Sequence, residues 1–221
     1  MSRFNGFPAE MTDFMWELRF NNNKEWFDKN RKRYEQFMKK PMDDFARDLH
    51  DMLEPLYGQS LYYSISRVNR DIRFSRNKAP YRENKWVVYR LRSGRWQEQP
   101  SLFFDIGPEG WELGTGFYSA KPDFMKAFRK KIDGNPKRFE KIAKDIAKNP
   151  DFMLYGDFYK KNMGDMEHSD VVMDWYMRKN VGVTAHGETG PAIYTSQILD
   201  MAFDMLKELI PLQVYLNEIT V

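Results

Sequence analysis

Residues 65–96 read ISRVNRDIRFSRNKAPYRENKWVVYRLRSGRW. Ten Lys or Arg stand here against two acids, Asp71 and Glu83, a local charge of +8 in a chain of +3, so the remainder carries −5. The pattern has period two. Val68, Arg70, Ile72 and Phe74 alternate with Arg67, Asn69, Asp71 and Arg73. Val87, Tyr89 and Leu91 alternate with Trp86, Val88, Arg90 and Arg92. Such alternation predicts strands, and Ser93-Gly94 predicts the turn after the second.

The same period continues downstream. Leu102, Phe104 and Ile106 alternate with Phe103 and Asp105. Gly107-Pro108-Glu109-Gly110 marks another turn, and residues 111–118 return. Sequential strands joined by short turns predict an antiparallel meander. Upstream the period is helical. Pro8 opens a helix with Met11, Phe14, Met15 and Leu18 on one face. Asn23 reads as the cap of a second helix over 24–39 bearing Phe27, Tyr34, Phe37 and Met38. Pro41 ends it and starts a third, with Met42, Phe45, Leu49, Met52, Leu53 and Leu56 inward and Gly58 closing.

Helical spacing returns at Phe124, Phe128 and Ile132, again at Phe139, Ile142 and Ile146 after Pro136, and finally from Ile198 to near Leu216 behind a Thr195 or Ser196 cap. Residues 149–194 show little period beyond a short strand around Val181-Gly182-Val183. Helices, then sheet, then helices give an α+β fold. It is read as one domain over residues 1–221, a central antiparallel meander sheet flanked by N-terminal and C-terminal helices.

Bulk composition agrees. Of 221 residues, 42% are hydrophobic, 30% charged and 16% aromatic, enough to bury a ring-rich core. Cysteine is absent, which excludes disulfides and thiolate metal sites and suits a reducing compartment. The N-terminus has no basic segment followed by an apolar run, and nothing approaches the ~20 apolar residues that cross a bilayer. The expectation is a cytoplasmic protein without a membrane partner.

The basic stretch is the candidate site. Arginine presents a rigid fork of donors that matches phosphate or carboxylate oxygens. Arg67, Arg70, Asp71, Arg73, Ser75, Lys78 and Tyr81 are the candidate ligand-binding residues, with Asp71 orienting or neutralising a neighbouring arginine and the hydroxyls donating to the same oxygens. Arg70 falls on the apolar side of its own alternation, where a charge is costly unless paired. It is therefore read as a structural ion-pair member or as a residue facing a cleft. The expected partner is a phosphorylated small molecule or nucleotide. The alternative is a non-enzymatic interaction domain in which this element is a buried ion-pair network. Interleaved Phe74, Tyr81, Trp86, Tyr89 and Trp96 make nucleic acid a further candidate partner, against ordinary core packing of the rings.

Other motifs are weaker. The loop over residues 184–191 carries His186 and Glu188 and precedes a helix, so it reads as an anion cradle with an acid–base pair or as an ordinary capping loop. Gly114-Thr115-Gly116 reads as a bulge or close backbone approach. His50, His168 and His186 have no metal-ligand spacing, and P-loop, HExxH and GxSxG patterns are absent. No metal, no cofactor and no reaction class is assigned.

Two elements carry a family resemblance. Asn22-Asn23-Lys24-Glu25-Trp26-Phe27 and Arg70-Asp71-Ile72-Arg73-Phe74-Ser75-Arg76-Asn77-Lys78-Ala79-Pro80-Tyr81 give the patterns NNxxWF and RDxRFSxxKxPY. These resemble a widespread bacterial family of conserved proteins of unknown function, with further matches at Gly114, Gly116, Tyr118, Arg129, Pro211, Leu212 and Leu216. The resemblance spans about residues 4–216 and implies an α+β domain without an assigned activity. Val68 and the basic residues after Tyr81 depart from the pattern.

Overall fold

The computed structural model describes residues 3–160 and 168–219. The N-terminal helices follow the apolar spacing. Helix α1 (Ala9–Phe20) begins after Pro8 and buries Met11, Phe14, Met15 and Leu18. Helix α2 (Lys24–Arg33) is capped by Asn23, whose side chain accepts the Trp26 N–H at 2.9 Å.

The break predicted at Pro41 does not occur. The chain widens into a π-helical stretch over Tyr34–Lys39 and runs straight into α3 (Lys40–Leu53). The Lys40 N–H reaches back to the carbonyl of Glu35. Proline lacks an N–H and its ring crowds the carbonyl four residues earlier, and one wider turn just upstream relieves both. α3 buries Met42, Phe45, Ala46, Leu49 and Leu53, and Gly58 beyond it sits at φ +64°.

Strands β1 (Tyr62–Ile65), β2 (Lys85–Arg90), β3 (Ser101–Ile106) and β4 (Gly110–Gly116) follow. Then come α4 (Pro122–Gly134), α5 (Pro136–Ile146), β5 (Met153–Leu154), α6 (Asp170–Tyr176), β6 (Gly182–Glu188) and α7 (Gln197–Asn217). The strands form one six-stranded antiparallel sheet in the order β1-β2-β3-β4-β6-β5, a meander through β4. Met153 lies opposite Thr184 and Leu154 opposite Val183. The fold is α+β.

Two further expectations change. The alternation over residues 68–74 does not make a strand: β1 ends at Ile65, only Asn69 and Tyr81 form an isolated bridge, and Phe74 is 95% exposed. The Asp71 carboxylate accepts the Arg73 N–H at 3.2 Å, a local turn that competes with extended pairing. The stretch 184–191 is strand β6 through Glu188, not a loop. Thr189 N–H is spent on the Glu109 carbonyl at 3.1 Å, so the ladder uses a donor that an anion cradle would need.

The chain divides into two compact units. In the first (residues 1–89, 103–112 and 186–204) a ring cluster forms the core, with Phe45 at 4.5 Å from Phe104 and 5.1 Å from Phe4. Lys85 is buried there and donates to the Tyr34 hydroxyl at 3.2 Å and to the Ser66 carbonyl. Dehydration pulls its ammonium down to about 8.

In the second unit (residues 90–102, 113–185 and 205–221) Phe139 packs 5.2 Å from Phe128, 5.6 Å from Trp175 and 5.1 Å from Tyr215. Gly116, at φ +145°, shows the close approach its motif predicts. A Cβ there would lie 2.4 Å from the Val181 carbonyl oxygen and 2.5 Å from the Tyr155 hydroxyl. Among the described residues, no helix is long and apolar enough to cross a membrane.

Candidate functional site

The basic stretch is a two-armed ribbon. Its arms pair through Arg82 N–H to the Val68 carbonyl at 2.8 Å and Arg70 N–H to the Pro80 carbonyl at 2.9 Å. Ser66 N–H to the Trp86 carbonyl, 2.8 Å, closes its base. Opposed residues share a side of such a ribbon. One side is therefore Asn69 with Tyr81, and the other is Val68 and Arg70 with Pro80 and Arg82.

Tyr81 turns inward. It is buried and stacks on Phe27 with centroids 4.0 Å apart. The Asn22 side chain donates to its carbonyl at 2.9 Å and accepts its N–H at 3.0 Å. The two sequence motifs are thus one physical unit: Asn22 pairs like a strand residue with Tyr81, Asn23 caps α2, and the capped helix presents Phe27 to the Tyr81 ring.

The predicted ligand residues separate. Arg73 binds Asp71 in a two-point pair, Nη2 to Oδ2 at 2.6 Å and Nε to Oδ1 at 2.9 Å. The hydrogen bonds from Arg73 hold the Asp71 carboxyl down at about 2. Lys78 Nζ donates to the Ile72 carbonyl at 3.0 Å, and Ser75 N–H donates to the same oxygen at 3.3 Å. Arg67 is exposed and adds its charge at Asp71. Arg70 is half-buried on the side away from Tyr81.

The buried ion-pair network is not what forms. The Asp71–Arg73 side chains are 55% and 76% exposed. Arg70 has no ion pair among the described residues, nor do Arg67, Arg76, Lys78 and Arg82. Among the described residues, no helix carboxylate forms an ion pair with residues 67–82.

The ribbon leads onto a sheet face. In β2 the odd residues point toward the N-terminal helices, with Lys85 on Tyr34 and the Tyr89 hydroxyl donating to the Ala46 carbonyl at 3.0 Å. Arg82, Asn84 and Trp86 therefore share the opposite face. In β3, Phe104 meets Phe7 and Phe45, which sends Asp105 to that same opposite face.

Register extends the face across two more strands. Gly107 N–H to the Gly110 carbonyl, 2.8 Å, sets Asp105 opposite Glu112. Thr189 N–H to the Glu109 carbonyl, 3.1 Å, sets Glu112 opposite His186. Asp105, Glu112 and His186 form one row across β3, β4 and β6.

The row is electrostatically coupled. Asn84 Nδ2 donates to Asp105 Oδ2 at 2.7 Å. Burial raises the Asp105 carboxyl to about 7. The Asn84 bond opposes the shift, the Glu112 charge adds to it, and the Arg82 charge opposes it. Desolvation raises Glu112 as well, against the pull of the His186 charge.

Sequence reading paired His186 with Glu188. The structure pairs it with Glu112, which lies 74 positions away in the chain. The available signal was Asp105, a carboxylate within the apolar run Leu102–Ile106. Among the described residues, no group of three or more His, Asp or Glu is placed to hold a metal ion.

No curated protein matches the chain significantly. A family model does, described as conserved hypothetical protein (DUF2461), over residues 10–215. That span contains both motifs, the ribbon and the row, and the chain belongs to this family of conserved hypothetical proteins.

Proposed function

We propose that the protein binds a phosphorylated ligand, a nucleotide or other small phosphate ester, through the basic ribbon, with Arg70 and Arg82 as the principal contacts and Arg67, Arg73, Ser75 and Lys78 around them. The supporting observation is uncompensated charge. Of Arg67, Arg70, Arg73, Arg76, Lys78 and Arg82, only Arg73 has an acidic partner among the described residues. Cations left unpaired on a protruding ribbon, in a molecule otherwise net negative, concentrate the field that attracts an anion. The cytoplasm, where phosphorylated metabolites are abundant, is the compartment this reading assigns.

Calorimetric titration with a nucleotide panel and inorganic pyrophosphate tests it. Wild type should bind at least one, and the Arg70→Ala/Arg82→Ala double variant should lose at least tenfold in affinity. A wild type that binds none of them overturns the reading.

One observation favours a second reading. Phe74 is 95% exposed at the ribbon tip, with the Arg73 guanidinium 5.8 Å from its centroid. An exposed ring among cations is a stacking platform for single-stranded nucleic acid. Filter binding of a short oligonucleotide should then weaken steeply with salt. Absence of retained strand at low salt removes this reading.

A further inference from the structure

We propose that the protein forms a two-fold dimer in which strand β1 pairs, edge to edge, with β1 of a second copy. The proposal is independent of the anion reading above.

An open strand edge carries it. β1 is a terminal strand of the sheet. Ser66 N–H donates to the Trp86 carbonyl at 2.8 Å, so Ser64 and Ser66 turn their backbone groups toward β2. Along a strand these groups alternate between one neighbour and the other. Tyr63, Ile65 and Arg67 therefore turn theirs outward, where no described residue pairs with them. The next outward residue differs. The Leu61 N–H donates to Glu54 Oε1 at 3.0 Å, and the Leu61 carbonyl accepts from His50 Nε2 at 2.7 Å. Side chains close the edge at Leu61 and leave it open from Tyr63 to Arg67.

The centre of the open stretch is Ile65, and that selects the register. A second copy running antiparallel about this point sets Ile65 against Ile65 and, twice, Tyr63 against Arg67. All three open residues of each copy then exchange backbone hydrogen bonds.

The side chains complement one another in this register. Tyr63 faces the helices, its ring 5.0 Å from His50 and 6.1 Å from Tyr89. Alternation puts Ile65 and Arg67 on the same side. Tyr63 is 36% exposed, and Arg67 has no ion pair in its own chain among the described residues. Across the axis Arg67 lies on the second copy's Tyr63 ring, next to the Glu54 carboxylate that holds Leu61. On the other side of the sheet the exposed Tyr62 meets Val68 of the second copy, a ring on a branched side chain. An unrelated extended peptide would satisfy the backbone without matching Arg67 to ring and acid at both ends.

Like charge does not oppose the pairing. The two strands run in opposite directions, so the basic ribbons leave at opposite ends. Arg70 lies five positions beyond Ile65. The two Arg70 residues are thus roughly 30 Å apart along the sheet. Salt at physiological strength screens exposed charges beyond about 8 Å. Arg70 and Arg82, on the other side of the ribbon from Arg67, stay clear of the contact.

A short edge makes a weak, concentration-dependent dimer. Sedimentation velocity without ligand, from roughly 5 to 500 μM protein, should show the mass rising from one chain, 26.5 kDa, toward two. Arg67→Glu takes the cation off the ring and sets two acids together, and should weaken association at least tenfold.

The chain has no cysteine, so cross-linking reads the register directly. Directly opposed residues of a hydrogen-bonded pair have Cα atoms about 5.5 Å apart, within disulfide reach. Mild oxidation should link Ile65→Cys into a dimer and leave Met153→Cys, on the other terminal strand β5, unlinked. Far-ultraviolet dichroism and melting check the fold of each variant, and either surface variant decides if the other does not fold.

A single-chain mass across the whole range overturns the proposal. So does a dimer that ignores Arg67→Glu, and so does one that links through Met153→Cys and not through Ile65→Cys.

Discussion

Arg129 and the ribbon residues Arg70 and Arg82 place the same side chain in opposite surroundings. Arg129, on α4, is only 7% exposed and gives Nε to the Tyr176 carbonyl at 2.8 Å, Nη1 to Met125 at 3.1 Å and Nη2 to Arg178 at 2.7 Å. Its planar fork joins a helix to the chain after α6, and the rings of Tyr159 and Tyr176 lie 5.1 and 5.7 Å from its centre. Among the described residues, Arg70 and Arg82 have no such set of carbonyls and no ion pair, although the Arg82 charge acts on Asp105. An arginine whose donors are consumed internally is structural, and one whose donors face outward is available to a ligand. Residue type does not separate the two; the partners do.

That contrast can be broken by substitution. Arg129→Ala should cause the largest loss, about 3 kcal/mol or more in urea unfolding, because it strands several buried carbonyls. Arg129→Lys should recover little of it, since one ammonium cannot reproduce the fork. A silent Arg129→Ala would erase the distinction. Tyr81→Ala comes next, at about 3 kcal/mol for the lost stack on Phe27, and Asn22→Ala at about 1 kcal/mol for its paired bonds. These two would show that the motif's last residue belongs with Arg129 on the structural side.

A pH scan sharpens the comparison for the carboxyl row. Asp105 titrates near 7 in the fold against 3.8 as the ordinary value. The folded state therefore binds the extra proton between those limits. Its contribution to stability is complete below about 4 and lost as pH rises through about 7. Asp105→Asn should flatten the fall in melting temperature over that window and raise stability at neutral pH. An unchanged slope would deny Asp105 its buried, proton-holding state.

The smallest effect belongs to the ribbon. Arg73→Ala should move stability by less than about 0.5 kcal/mol, because the Asp71 pair is exposed and screened. A loss of several kcal/mol would restore the buried network that the sequence also allowed.

Much of the architecture was legible. Apolar spacing located α1, α3, α4, α5 and the last helix. Alternation with turn residues located β2, β3 and β4, and Gly116 announced a close backbone approach. The failures have specific causes. Residues 68–74 alternate as a strand does, yet the Asp71 side chain turns the backbone and Phe74 ends in solvent. Pro41 signals a stop, yet one π-helical turn absorbs it. His186 reads as a loop residue because glycines surround it, yet Gly187 is required inside β6. A Cβ at Gly187 would lie 2.6 Å from the Trp111 ring.

The sequence by itself determined the α+β order, the apolar faces, the +8 segment and the family, because each is a property of neighbours along the chain. Tertiary structure alone decided which arginines are spent and which are open, and that Asp105, Glu112 and His186 stand in one row. The reason is physical. Cross-strand register and hydrogen-bond satisfaction join residues far apart in sequence, and local periodicity fixes which side a residue faces without fixing what it meets there.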